Sequence, residues 1–307
     1  QRLNLGRIAS RIITVAGTNG KGSTVAYYET WLKNSGFKVA SYTSPHLLVY
    51  NERIKLNLQP VSDEALCHAF ALIDEAREGL ALTYFEFGTL AALYLISRFE
   101  PDVAILEVGL GGRLDAVNII DADLAHITPI GLDHQDWLGD NVESIGREKA
   151  GILRADGLAV CNSDKPPASV LAELDRLHCH AAILGRDYRY RQLEDGLIEW
   201  SMGRTQLQLT PPLAGEHQAV NISGVLAGLS LLGLLDSLAE GDIVAAFSGV
   251  NCPGRFQRIE TALPINIWLD VGHNDDAADV LSQALAGLNV KGRVIVLLGM
   301  LRDKNPA

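Results

Sequence analysis

The sequence predicts an α/β protein: a doubly wound, mostly parallel sheet domain followed by the start of a second α/β unit. Three observations carry this. Short apolar runs rich in β-branched residues alternate with segments of helical period from Arg11 to Leu184. The runs are apolar throughout, as in parallel strands buried on both faces. The strand-helix-strand theme then returns after Asn251-Cys252-Pro253-Gly254, which reads as a linker.

The elements follow in order. Arg11–Val15 is a strand running directly into glycines, and Lys21–Asn34 has helical period with Val25, Tyr28 and Leu32 on one side and Gly36 beyond its end. Phe37–Tyr42 is a second strand. Ser62-Asp63-Glu64 is a cap followed by acids, opening a helix that reaches Glu78. Phe85–Phe99 is an apolar, buried helix, and Val103–Leu106 and Leu124–Thr128 are strands. Leu158–Val160, Ala168–Leu177 and Ala181–Leu184 continue the alternation. Tyr188–Leu209 breaks it as a β-hairpin turning at Asp195-Gly196, and a long helix follows over Val220–Leu235. Ile265–Asp270, Asp276–Leu288 and Arg293–Leu298 form the last strand, helix and strand. The predicted division is residues 1–252 and 253–307. The second piece is too short to close as such a domain, so the chain reads as truncated at Ala307.

Hydrophobic residues make up 48% and charged residues 21% of the 307, the balance of a globular protein with a large core. No apolar run reaches the ~18 residues of a membrane span. The start at Gln1 lacks a signal-peptide pattern, and the four cysteines are scattered without a C-x-x-C, so a reducing, cytoplasmic location is expected. A formal net charge of −11 argues against a nucleic-acid surface. It also means that an anionic substrate must be met by local cations or metal.

Ala16-Gly17-Thr18-Asn19-Gly20-Lys21-Gly22-Ser23-Thr24 carries the first chemistry. It lies between a strand and a helix, so backbone N–H groups and a helix N-terminus converge on an anion site. Lys21 adds a cation. The common phosphate-binding loop places a metal-binding Ser or Thr directly after its lysine. Here that position is Gly22. A metal therefore needs oxygen ligands from other strand ends, where ligands of open parallel sheets collect. Ser44 in Thr43-Ser44-Pro45-His46, Glu107 before Gly109-Leu110-Gly111-Gly112-Arg113, and His134 in Asp133-His134 stand at such ends. Read singly, each is also an ordinary turn or strand-end residue.

These stretches, with Glu52-Arg53-Ile54, Leu106–Asn118 and Gly146-Arg147-Glu148-Lys149-Ala150-Gly151-Ile152, resemble the folylpolyglutamate synthase family of ATP-dependent Mur-type amide ligases. The bacterial bifunctional dihydrofolate synthase/folylpolyglutamate synthase form is the nearest match, over residues 12–307. The resemblance implies a P-loop-like ATPase domain followed by a Rossmann-like domain, with the active site between them. It implies ATP phosphates on Gly17, Thr18, Asn19, Gly20, Lys21, Gly22 and Ser23, and Mg2+ on Ser44, Glu107 and His134, with two metal sites. Lys149 falls on a lysine that the family carbamylates with CO2; from its own surroundings in the sequence it reads as a surface helix lysine. Asn221, Arg255 and Asp270 fall on ATP contacts, and Asp270 and His273 belong to the D-x-A-H-N motif, giving Lys21, Lys149, Asp270 and His273 as catalytic candidates. Thr83, Tyr84, Phe85 and Glu86, with Leu114, Asp115 and Ala116, fall on stretches that contact the pterin substrate.

The implied activity joins L-glutamate to dihydropteroate and to reduced folates through an acyl phosphate, in a monomer without nucleic-acid or membrane partners. A monofunctional folylpolyglutamate synthase, another Mur-type amino-acid ligase, or a nucleotide-binding module without ligation are the competing readings. The sequence departs from the family at Gly272 for alanine, at Asp275 for proline, and in a shorter stretch from Leu5 to Thr14.

Overall fold

The computed structural model describes residues 2–3, 5–263, 265–288, 290 and 292–300, and only the backbone of Asp195. The first half runs β1 (Arg11–Ala16), α1 (Lys21–Asn34), β2 (Val39–Tyr42), β3 (Ile54–Leu56), β4 (Gln59–Pro60), α2 (Asp63–Arg77), α3 (Tyr84–Phe99), β5 (Val103–Glu107) and β6 (Leu124–Ile127). The remainder runs α4 (Gln135–Leu138), α5 (Val142–Ala150), β7 (Leu158–Cys161), α6 (Ala168–Arg176), β8 (His180–Ile183), β9 (Tyr188–Gln192), β10 (Ile198–Met202), β11 (Thr205–Leu209), α7 (His217–Leu231), α8 (Glu240–Ala245), β12 (Gln257–Ile259), β13 (Ile267–Leu269) and α9 (Asp275–Ala286).

Eight strands form one sheet in the order β4-β3-β2-β5-β1-β6-β7-β8. From β2 to β8 every neighbour is parallel, and β3 and β4 add an antiparallel edge. The period of two decides which side chain goes where. Ile12 and Ala16 of β1 join the core under α2, α3, α5 and α6, whereas Ile13 and Val15 join the core under α1, α7 and α8. Both faces of the sheet are thus covered, which is why its strands are apolar throughout. Trp31 and Trp200 are fully buried on the second side, and their indole N–H groups donate to the carbonyls of Ile243 and Ser223 at 3.1 Å each.

Helix ends follow local chemistry. Ser62 Oγ accepts from the Ala65 N–H at 3.2 Å and opens α2. Gly36 takes φ +91° just after α1, a left-handed conformation that glycine adopts without cost.

The structure differs from expectation in four places. Tyr188–Leu209 is a three-stranded antiparallel sheet, β11-β10-β9, rather than a hairpin, because the chain turns twice and Trp200 of β10 anchors it to the core. The edge strands β3 and β4 carry no strong apolar pattern and were not anticipated. Arg293–Leu298 forms no strand: Val294–Leu298 are all exposed, and among the described residues no strand lies beside them to take their hydrogen bonds. In the second unit β13 pairs antiparallel with β12 instead of entering a parallel sheet. Residues 301–307, including Arg302, Asp303 and Lys304, lie outside the described residues.

Candidate active site

Central strand β1 ends at Ala16 between β5 and β6, so the loop that follows leaves from the middle of the sheet. Gly17 has φ +150°, and a Cβ there would collide with Thr128 Oγ1. Gly20 has φ +88° and caps α1 without a side chain; a Cβ there would collide with Asn221 Oδ1. The N–H groups of Thr18 and Asn19 turn inward to the Pro129 carbonyl at 3.0 and 3.4 Å. The outward donors are therefore those of the first turn of α1, which lack intrahelical acceptors. That turn contains no acidic residue. It is a site for an anion, with the positive end of the helix dipole behind it.

Two lysines meet at one carbonyl. Lys21 Nζ donates to the carbonyls of Gly17 at 3.0 Å and Thr18 at 3.1 Å, and Lys149 Nζ donates to that of Gly17 at 2.7 Å. Lys149 is 5% exposed, which corrects the reading of it as a surface lysine. Desolvation, then the charge of Lys21, draws the Lys149 ammonium down to about 7. Desolvation also lowers Lys21, and the Glu107 carboxylate opposes that shift. Glu107, 4% exposed at the end of β5, accepts from the Ser44 N–H at 3.2 Å. Burial pushes its carboxyl upward, and Lys21 pulls it back.

Glycines seat Lys149. A Cβ on Gly112 would stand 2.7 Å from the Glu148 carbonyl oxygen and 3.0 Å from that of Lys149, so the turn lies flat on the end of α5. Gly151 lies in the same way against the backbone of Arg113. Arg113 closes the contact through its N–H to the Glu148 carbonyl at 2.8 Å and its guanidinium to the Glu148 carboxylate at 3.0 Å. The two sequence stretches are thus two halves of one packing contact.

Lys21, Lys149, Asp133 and His134 line a cleft of about 290 Å3 with Gly17, Thr18 and the Val108–Gly111 backbone. His134 takes φ +52° at the start of α4. Asp133 lies between two imidazoles, 3.8 Å from His134 Nε2 and 3.7 Å from His273 Nε2. The structure thus joins Ser44 to Glu107 directly and sets His134 on the wall shared with Lys21 and Lys149. Among the described residues, no three His, Cys, Asp or Glu side chains stand together as a closed metal cage.

The stretch Thr83–Glu86 splits between roles. Thr83 and Glu86 form a capping box: Thr83 Oγ1 accepts from the Glu86 N–H at 3.2 Å, and Glu86 Oε2 accepts from the Thr83 N–H at 2.7 Å. That backbone bond from Thr83 lowers the Glu86 carboxyl. The Phe85 ring packs against Gly109 and stacks on Tyr42, with centroids 5.9 Å apart. Asp115, at the far end of the glycine turn, accepts from the N–H groups of Leu110 at 2.9 Å and Val117 at 3.0 Å. Burial raises its carboxyl, against those bonds. Leu114 is 80% exposed and Ala116 opens a short 3-10 turn. Thr83 and Tyr84 also border a second, mostly apolar cavity of about 760 Å3 with Tyr50, Phe70, Arg77, Leu82 and Phe87.

The second unit reaches the loop. An Arg255 guanidinium nitrogen lies 3.7 Å from where a Gly22 Cβ would be. Asn274 Nδ2 donates to Asn19 Oδ1 at 3.0 Å. Asp270 faces its own unit: its carboxylate accepts from the N–H groups of Phe256 at 2.8 Å and Gly272 at 2.7 Å, bracing the turn that carries Arg255. His273 Nδ1 is 2.9 Å from the Val271 carbonyl.

Residues 15–229 match the Mur ligase middle domain, and residues 254–307 match the Mur ligase glutamate ligase domain. The chain belongs to the Mur ligase family. Within it, this Mur ligase is 41% identical to a dihydrofolate synthase/folylpolyglutamate synthase of Haemophilus influenzae, over 99% of this chain and 72% of that protein. It is 40% identical to the Escherichia coli protein of the same description, over 100% of this chain and 71% of that one. Among solved structures it is similar to E. coli FolC in complex with DHPP and ADP, at a TM-score of 0.90 and 40% identity, covering 98% of this chain and 71% of that one. It is similar also to a bifunctional folylpolyglutamate synthase/dihydrofolate synthase with Mn, AMPPNP and L-glutamate bound, at a TM-score of 0.85 and 42% identity, covering 93% and 68%.

Several residues around the Mur ligase cleft were given no role by sequence, Arg53 standing there only as part of a matching stretch. Gln218 is fully buried beside the loop, and the side chain of Asp276 reaches Asn19 at 3.4 Å. Arg53 is 8% exposed, donates to His46 Nδ1 at 2.8 Å and lies over the rings of Tyr50 and Tyr84. Only an unusual buried polar residue, such as the His217-Gln218 pair opening an apolar helix, gave a signal that sequence alone offered.

Proposed function

We propose that the cleft at the phosphate loop, bordered by the second unit through Asn274 and His273, ligates L-glutamate to the carboxylate of dihydropteroate and to the glutamate tail of reduced folates, driven by ATP. The observation that carries this reading is the pair Lys21 and Lys149 converging on the Gly17 carbonyl at the opening of α1, with Glu107 at the next strand end. Relatives whose structures hold ADP with DHPP, and Mn with AMPPNP and L-glutamate, support it.

The substrate carboxylate oxygen attacks the γ-phosphorus of ATP, and the bond to the β-phosphate oxygen breaks, giving an acyl phosphate and ADP. The neutral glutamate amine then attacks the acyl carbon. The carbon–oxygen bond to phosphate breaks, phosphate leaves with the electron pair, and the amine proton passes to phosphate or water. The protein positions these groups and offsets charge. The first turn of α1 and Lys21 receive the phosphates, with Arg255 approaching from the second unit. Asp270 acts through the turn that it braces.

A divalent cation fits the donor set. Glu107 offers a buried carboxylate already oriented by the Ser44 N–H; the Ser44 hydroxyl and, from the cleft wall, the His134 imidazole would add an oxygen and a nitrogen donor. Such an ion would neutralise the phosphate charge that the acidic protein otherwise repels. Lys149 suits CO2 capture, since an amine drawn to about 7 is largely neutral in mildly alkaline solution and therefore nucleophilic. We assign it as the carbamylated lysine. The aryl part of the substrate has two apolar surfaces beside Thr83 and Tyr84, the Phe85–Tyr42 stack and the aromatic cavity.

The deciding assay measures ADP release with dihydropteroate and with tetrahydrofolate, each with L-glutamate. Release that needs both acceptor and glutamate is expected. Release that depends on neither overturns ligation and leaves a nucleotide-binding module.

A further inference from the structure

The phosphate loop is held from behind by a residue outside it. Gln218, in the first turn of α7, is 0% exposed. Both donors of its amide nitrogen and its oxygen have partners. Nε2 donates to Ser23 Oγ at 3.3 Å and lies 2.9 Å from His217 Nε2; Oε1 accepts from Asn221 Nδ2 at 3.1 Å. We propose that Gln218 is a positioning residue for nucleotide binding, which sets the direction of the hydrogen bonds that Ser23 and Asn221 present to the phosphates.

The argument is one of polarity. A hydroxyl that accepts from an amide N–H keeps its own proton for another acceptor. Ser23, 1% exposed in the first turn of α1, is therefore left as a donor, which suits an anionic phosphate oxygen. Asn221, 2% exposed, gives one amide proton to Gln218 and presses its Oδ1 onto Gly20. That contact fixes which face of the amide looks at the loop, and Gly20 has no Cβ because this oxygen occupies the space. His217 fixes the amide in turn. With its Nε2 accepting from Gln218, its proton sits on Nδ1. Burial and the nearby Arg255 charge lower this imidazole against the pull of Asp270, which favours the neutral form that acceptor role requires. Three residues of α7 thus form one unit whose output is a donor at Ser23 and an ordered amide at Asn221.

The inference rests on the nucleotide reading of the loop, and the test separates the two. ADP affinity, the KM for ATP and kcat are measured for N221A, Q218L, Q218E and the double variants with N221A, alongside melting temperature. Both Gln218 variants are expected to weaken ADP binding and raise the KM for ATP about tenfold, with kcat changed far less. Q218E keeps the volume but replaces a donor by an acceptor and buries an unpaired carboxyl, so it should lose affinity and also melt below the wild type. Q218M, uncharged and of similar volume, is measured beside them and carries the test if Q218L or Q218E does not fold. In the double variants the second change should add less than about twofold, because both act through one contact. Wild-type ADP affinity in Q218E or Q218M, or full additivity with N221A, overturns the positioning role. Wild-type ADP affinity in N221A as well overturns the nucleotide reading itself.

Discussion

Replacing Lys149 by methionine should stabilise the ligand-free protein while ending ligation. The lysine is 5% exposed and its ammonium is drawn to about 7 from the 10.5 of the free side chain. A difference of that size corresponds to about 5 kcal/mol of disfavoured charge in the fold. Methionine keeps the stem's packing and removes the charge. It also removes the bond to the Gly17 carbonyl, worth about 1.5 to 3 kcal/mol for a charged donor. A net gain of about 2 kcal/mol at pH 7 follows. The pH dependence is the sharper signature. Because the folded value lies below the unfolded one, the unfolded chain binds more protons between about 7 and 10.5, so wild-type stability rises with pH across that window. The stability difference should change by about 3 to 4 kcal/mol from pH 7 to pH 10, so that the wild type becomes the more stable by about 1 to 2 kcal/mol at pH 10. Urea unfolding in bicarbonate-free buffer at both pH values reads this out. Parallel stability curves for the two proteins, or a variant less stable throughout, would refute the picture of a buried, strained ammonium.

Lys21→Ala should abolish ADP release with a folate and glutamate while leaving the fold intact; wild-type turnover would remove the lysine from the phosphate site. Glu107→Ala should lose the Mg2+ dependence of turnover, and an unchanged Mg2+ titration would end its assignment as a ligand. His126 lies in the core against Tyr28, at 3.0 Å, and burial lowers it to about 3 from 6.5. The unfolded chain therefore takes up a proton below about pH 6.5 that the fold resists, and stability falls by about 2 kcal/mol at pH 5. The double variant Tyr28→Phe, His126→Val should flatten that acid slope in denaturant melts; an unchanged slope would place the acid sensitivity elsewhere.

Much of the fold was legible because strand and helix periods are local. The helix Lys21–Asn34 was read to the residue, and the six parallel strands of the large sheet to within two, while its edge strands β3 and β4 were missed. What was not legible depends on partners distant in sequence. Arg293–Leu298 has the composition of a strand, but a strand needs a neighbour, and none is beside it among the described residues. The burial of Lys149 comes from glycines 37 residues earlier folding onto its helix, which no local pattern reveals. The inward turn of the Thr18 and Asn19 amides needs the Pro129 carbonyl from the next strand end. Thr83 and Glu86 show the converse. Their spacing of three is a local capping signal, and the structure uses it as one alongside any contact with substrate.

Before Lys149 takes up CO2, two ammonium groups sharing the Gly17 carbonyl also give the cleft a stored proton affinity. Burial lowers both, Lys21 lowers Lys149 further, and the carboxylates of Glu107 and Asp133 only partly offset this. A polyphosphate arriving at α1 supplies further negative charge and makes both amines more basic. Nucleotide binding near neutral pH should therefore draw a proton from the buffer. Its measured heat would then depend on the buffer's own ionisation enthalpy, and its affinity would fade as the solution becomes alkaline.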